Sequence, residues 1–176
     1  MITEDGYILK LVRIPGKLKP DHDDDLRPPI FFQHGICDSS DGWISNRSMS
    51  PAIIAASQGY DVWLGNIRGN KHSRKHVDYD PEFDKDLFFD YSFTEFAFYD
   101  IPAMIMFIKQ ETGFDKIGYV GHSMGTTIFF IMSIENPDFV NENISCFVAL
   151  APVFLLSNSG MMIDLGVNLL QLSNVF

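Results

Sequence analysis

With 176 residues, 46% of them hydrophobic and 20% charged, the chain is long enough for one domain with a real core and too apolar for a disordered segment. Its net charge of -10 repels phosphate backbones, which argues against a nucleic-acid partner. No stretch is long and apolar enough to span a bilayer, and the polar start at residues 1–6 lacks the apolar run of a signal peptide.

The 16 phenylalanines imply either a large core or an apolar pocket, and composition does not separate the two. Cys37 and Cys146 are too few and too far apart for a disulfide framework, and both are expected to be free, buried thiols. Sequons at Asn46 and Asn143 would permit glycosylation in a secretory compartment. The acidic run at Asp21, Asp23, Asp24 and Asp25 reads as a solvated loop tip, since its spacing does not fit a calcium loop. No metal or cofactor is implied.

In chain order, residues 7–14 alternate as a strand that Pro15 and Gly16 stop. A polar loop over residues 17–29 leads to a short apolar strand at residues 30–32, ended by Gln33-His34-Gly35. Ser50-Pro51 opens a helix, with Ser as cap and Pro in the first turn, and Gly59 closes it. Residues 60–64 form the next strand, followed by a long polar loop over residues 65–90 of the kind that often carries function. Residues 93–111 have helical periodicity, and Pro102 predicts a first-turn kink or an offset start. A strand is expected at 116–120, a helix at 123–135, a break at Asn136-Pro137 and a strand at 144–150; the apolar tail from residue 153 reads as helical. Strands that alternate with helices predict a mostly parallel sheet in a three-layer α/β architecture.

Between the strand ending at Val120 and the following helix lies Gly121-His122-Ser123-Met124-Gly125. G-x-S-x-G in strand–turn–helix context is a nucleophile elbow. The serine must stand on a sharp turn, so the residues two before and two after must lack side chains, and both are glycine. The helix that follows aims its first amides at the site, where they favour a developing negative charge. A chance pentapeptide is the competing reading, and the flanking strand and helix argue against it. Gln33-His34-Gly35-Ile36, directly after an earlier strand, leads into the loop that supplies the second oxyanion donor in such folds. By position the donors are the backbone amides of Ile36 and Met124. A plain glycine turn is the alternative for this segment.

With both motifs in place, the chain resembles the acid lipase family, gastric and lysosomal, of the α/β-hydrolase fold. The resemblance is carried by Thr3-Glu4-Asp5-Gly6-Tyr7-Ile8-Leu9, by the stretch from Gly59 to Asn70 (most specifically Asp61 onward), by the elbow with Tyr119, Thr126 and Thr127, and by Ala149-Leu150-Ala151-Pro152. Met124 stands where several acid lipases have Gln, but only its amide is required. The resemblance implies hydrolysis of lipid carboxylic esters, triacylglycerols or sterol esters, in a secreted or lysosomal setting. It also divides the chain into a partial hydrolase core at 1–152 and the start of a cap at 153–176. By its residues alone the apolar tail, with Met161, Met162, Leu169, Leu170 and Phe176, reads as a core helix, whereas the resemblance implies a cap that meets lipid.

A serine hydroxyl needs a base, and in this fold the order is Ser, then Asp or Glu, then His. His22, His34, His72, His76 and His122 all precede Ser123. His122 is expected to turn away from the serine, and His72 and His76 to lie on the surface. Asp138 and Asp164, the downstream aspartates, are poorly placed. The expectation is therefore a fragment that carries the nucleophile half of the machinery and is nearly inert alone. Two other readings compete: a serine esterase, thioesterase or peptidase of the same fold, and a non-catalytic lipid-binding pseudoenzyme.

Overall fold

A computed structural model describes residues 1–16 and 27–155. The expected acidic loop tip and cap helix lie outside the described residues. A five-stranded sheet runs in the order β1-β3-β2-β4-β5, with β1 at Val12–Ile14, β2 at Pro29–Gln33, β3 at Asp61–Leu64, β4 at Ile117–His122 and β5 at Ile144–Leu150. β2, β3, β4 and β5 are mutually parallel, and only β1 is antiparallel to its neighbour.

Strand alternation sends side chains to two faces. Phe31, Trp63 and Tyr119 point into the larger core, where α4 (Ile101–Thr112) and α5 (Met124–Glu135) bring Ile101, Met104, Ile105, Ile108, Ile128 and Phe129. Phe32, Val62 and Leu64 point the other way, onto Trp43 and onto Ala52 and Ala56 of α1 (Pro51–Ser57). The three-layer α/β arrangement expected from the sequence is present.

The predicted strand at residues 7–14 enters the sheet only at Val12–Ile14. Upstream the chain folds back on itself: Gly6 turns with φ 97° and the amide of Thr3 donates to the Tyr7 carbonyl. Tyr7 and Ile8 then make isolated bridges, with His76 and Ile2. Ser50 precedes α1, but its hydroxyl makes no capping bond, and Pro51 alone marks the helix start. The 65–90 loop contains a single turn of helix, α2 (Lys85–Phe88).

The helix expected over residues 93–111 begins as α3 (Phe93–Glu95), on a capping box between Ser92 and Glu95. It widens to a π turn at Phe96–Asp100 before continuing as α4. Pro102 is the physical reason: it has no N–H to offer the carbonyl four residues back, so the regular ladder cannot run through. Gly113, at φ 73°, ends α4 in the left-handed conformation.

The helix α5 breaks at Asn136 as expected, and a further helix, α6 (Pro137–Asn143), starts directly after it. The Asn136 side chain accepts the amide of Phe139, and Pro137 fits the first turn. Both cysteines are free but exposed, against the expectation of burial. Cys146 lies on an outer strand, and Cys37 lies on the open loop after β2. Asn143 is buried, with its side-chain amide bonded to Lys109 and to the Phe139 carbonyl. Asn46 is exposed.

Candidate active site

β2 and β4 lie side by side, with Gln33 opposite Gly121, so both strands deliver the following residues to one edge of the sheet. Immediately after β4, Ser123 adopts φ 51° and ψ -116°. An L-residue takes this conformation only when its surroundings enforce it. The enforcement is visible. The Ser123 amide donates to the Leu150 carbonyl at 3.0 Å. Its carbonyl accepts the Thr126 amide at 2.9 Å and the Thr126 hydroxyl at 2.6 Å.

The flanking glycines are required by close approach. A Cβ on Gly121 would stand 2.8 Å from the Gly125 carbonyl oxygen, and one on Gly125 would stand 2.5 Å from that of Gln33. The Tyr119 hydroxyl donates to the same Gly125 oxygen at 3.0 Å. Across from the bend, a Cβ on Gly35 would lie 3.1 Å from Ser123 Cβ. The loop after β2 therefore lies directly against the serine, and Ile36, one residue on, is half exposed there.

His34 is buried beneath this loop. Its Nδ1 lies 2.7 Å from the Gly35 carbonyl, and its Nε2 lies 3.1 Å from Asn70 Nδ2. Burial holds its pKa below the ordinary imidazole value, against the opposing pull of the Gly35 carbonyl. His122 is exposed and packs edge-on to Trp43, with ring centroids 6.3 Å apart. His72 and His76 are only partly exposed, not free surface residues. His72 Nε2 lies 2.9 Å from Asp41, and His76 Nε2 lies 2.8 Å from the Asp5 carbonyl oxygen. Among the described residues, no histidine or carboxylate bonds to the Ser123 hydroxyl. Asp138 sits in the first turn of α6, which feeds the start of β5, at the opposite edge of the sheet from Ser123.

Beside the loop opens a cavity of about 1010 Å³. Ile36 and Met124 reach it from the two motifs, and Phe89, Tyr91, Phe93 and Phe96 form an aromatic wall. Arg68 also lines it, although its side chain is only 1% exposed. Its guanidinium donates Nε to Asp100 at 2.8 Å and Nη2 to Asp5 at 2.9 Å, and lies 3.9 Å from the centre of the Tyr7 ring. Burial raises the Asp100 pKa to about 6, against the pull of Arg68. Neither this ion cluster nor the polar network around His34 was singled out from sequence. Their members are scattered, and the available signal was the density of Asn, Arg and Ser between Asn66 and Ser73.

The profile of a family described as alpha/beta hydrolase fold matches residues 28–173, and a partial alpha/beta-hydrolase lipase region matches residues 1–47. Over 154 residues the chain is 50% identical to a gastric triacylglycerol lipase of Rattus norvegicus, covering 87% of this chain and 38% of that protein. It is 45% identical over 152 residues to the human lysosomal acid lipase/cholesteryl ester hydrolase, covering 86% of this chain and 37% of that protein. The chain thus spans well under half the length of these relatives. Among solved structures, the epoxide hydrolase VrEH1 of Vigna radiata superposes with a TM-score of 0.56 at 20% identity, over 95% of this chain and 44% of that one, a likeness of fold alone. With the elbow, the mixed sheet and these matches together, the chain belongs to the α/β-hydrolase family and resembles within it the gastric and lysosomal acid lipases.

Proposed function

We propose that the chain provides the nucleophile and oxyanion half of a serine hydrolase acting on lipid carboxylic esters, triacylglycerols or sterol esters. The observation that carries the reading is Ser123 at φ 51°, pressed against Gly35 beside a cavity with an aromatic wall. The similarity to gastric and lysosomal lipases narrows the substrate to lipid esters.

In this reaction Ser123 Oγ bonds to the ester carbonyl carbon while its proton passes to a base. The carbonyl electron pair moves onto oxygen, which the amides of Ile36 and Met124 receive. The Met124 amide is suited to this because the first amides of a helix have no intrahelical acceptor. Collapse expels the alcohol, protonated by the same base, and leaves an acyl-serine. Water then repeats the two steps and releases the fatty acid. The aromatic wall at Phe89, Tyr91, Phe93 and Phe96 suits the acyl chain.

The base and its acid partner are supplied from outside these 176 residues, since every histidine here precedes Ser123. The setting is secreted or lysosomal. On this reading the isolated chain is nearly inactive.

The test is hydrolysis of emulsified triacylglycerol and cholesteryl ester by the complete gene product. Ser123→Ala is expected to lower kcat by several orders of magnitude while leaving lipid binding intact. Equal turnover by the two proteins would refute the assignment, and lipid binding without turnover in either would favour a non-catalytic lipid carrier.

A further inference from the structure

The polar groups under the oxyanion loop form a chain in which each orientation dictates the next. It begins at backbone amides. Those of His72 and Ser73 both donate to Asn70 Oδ1, at 2.9 and 3.1 Å. That oxygen cannot exchange places with the amide nitrogen without facing two donors with a third, so Asn70 Nδ2 must point the other way. There it meets His34 Nε2 at 3.1 Å, and its second hydrogen goes to Asn66 Oδ1 at 3.0 Å. Asn66 Oδ1 also accepts the amide of Ser40, further along the oxyanion loop, at 2.9 Å.

His34 Nε2 faces a second donor, the Ile67 amide, at 3.5 Å. A nitrogen facing two N–H groups must be an acceptor, so the imidazole proton sits on Nδ1. From Nδ1 it is donated to the Gly35 carbonyl at 2.7 Å. That carbonyl belongs to the same peptide unit as the N–H of Ile36. A trans peptide is planar, with its C=O and N–H pointing in opposite directions. Anchoring the carbonyl downward onto His34 therefore aims the Ile36 amide upward, toward the side on which Ser123 lies.

The geometry points to Asn70 and His34 as positioning residues that set the Gly35–Ile36 peptide plane, with Asn70 selecting the Nδ1–H tautomer of His34 for that purpose. The role rests on the hydrolase reading given above. Neither side chain touches the reacting atoms. They act by keeping one oxyanion donor preorganised, and displacement of such a group by about 1 Å costs up to roughly a hundredfold in rate.

Asn70→Asp is the discriminating variant. It keeps the oxygen that accepts the His72 and Ser73 amides and replaces the Nδ2 group that faces His34 Nε2 and Asn66 Oδ1. A carboxylate there requires a proton on Nε2. The neutral imidazole would then turn an Nδ1 lone pair toward the Gly35 carbonyl and release it. Only the doubly protonated ring would keep both bonds. The other titratable groups facing the ring are Asp38, from the oxyanion loop, and His72, from the opposite loop. Both are present in the wild type and the variant alike.

In the complete gene product, the ratio of variant to wild-type kcat is expected to fall from near one at pH 5 to about one-tenth or below at pH 8, with KM unchanged. Imidazole nitrogen chemical shifts of the wild type should show a protonated Nδ1 and a bare Nε2 on His34. A kcat ratio that stays flat with pH, or a wild-type His34 protonated on Nε2, overturns the relay. The shift measurement needs no variant to fold. Wild-type turnover that survives Ser123→Ala instead overturns the hydrolase reading, and the kinetic role of the relay with it, while the tautomer is still decided by the nitrogen shifts.

Discussion

Ser123 holds a backbone conformation that costs an L-residue on the order of 1–3 kcal/mol, and it is kept there by bonds to Leu150 and Thr126 and by close-packed glycines. The strain is useful only for presenting the hydroxyl. Ser123→Gly should therefore raise unfolding stability by about 1 kcal/mol, the relief of strain being partly offset by the added freedom of the unfolded chain. It should also abolish the proposed hydrolysis. Urea unfolding followed by circular dichroism would check the first outcome, and a Ser123→Gly protein less stable than wild type would contradict the strain argument. The G-x-S-x-G pattern was legible because each residue type answers a local steric demand. The tautomer of His34 was not legible, since it depends on amides more than 30 residues away in sequence.

At the scale of elements, Arg68 ties its own loop to two other segments, the N-terminal turn and the π turn before α4. It reaches Asp5 in the N-terminal turn, Asp100 in the π turn before α4, and the ring of Tyr7. Pro102 and the ion cluster explain each other. The proline widens the helix, and the widened turn carries the buried Asp100, whose carboxylate takes both the Arg68 amide and its side chain at 2.8 Å. Arg68→Met keeps the apolar stem but leaves a buried carboxylate without its cation. The expected cost is about 3–5 kcal/mol of folding stability, measurable as a lowered urea midpoint. A loss below about 1 kcal/mol, the scale of an exposed pair, would show that the cluster contributes little. From sequence, periodicity located this helix and Pro102 flagged its irregular start. The widening itself and its ionic purpose needed the opposite partner, Arg68, which lies on another loop.

For the whole molecule, Asp100 links stability to pH. Its pKa stands at about 6 in the fold, above the ordinary carboxylate value of 3.8, because burial disfavours the charge more than Arg68 restores it. The folded state thus binds this proton more tightly than the unfolded state does. The contribution of the group is present in full below about pH 4 and is lost as pH rises through 6. The thermal midpoint of the wild type relative to Asp100→Asn should accordingly fall between pH 4 and pH 7. His34, whose pKa burial lowers, acts in the opposite direction, but it is common to both proteins and cancels in the difference. A difference that is flat with pH, or one that grows toward neutrality, would show that Arg68 dominates the carboxylate.

The fold class, the tight turn at Ser123 and the glycines that flank it were readable from the chain alone, because each follows from short-range rules: period-two and helical alternation, glycine where a Cβ has no room, proline where a helix starts. The exposed Cys37 and Cys146, the burial of Asn143, the foldback at residues 1–9 and the helix that follows Asn136 were misread or missed. Their character depends on what stands opposite them: the cavity, an outer strand, Lys109 or a neighbouring loop. Burial and hydrogen-bond partnership are properties of pairs distant in sequence, so only the folded arrangement of β2, the 66–73 loop and the π turn decided them.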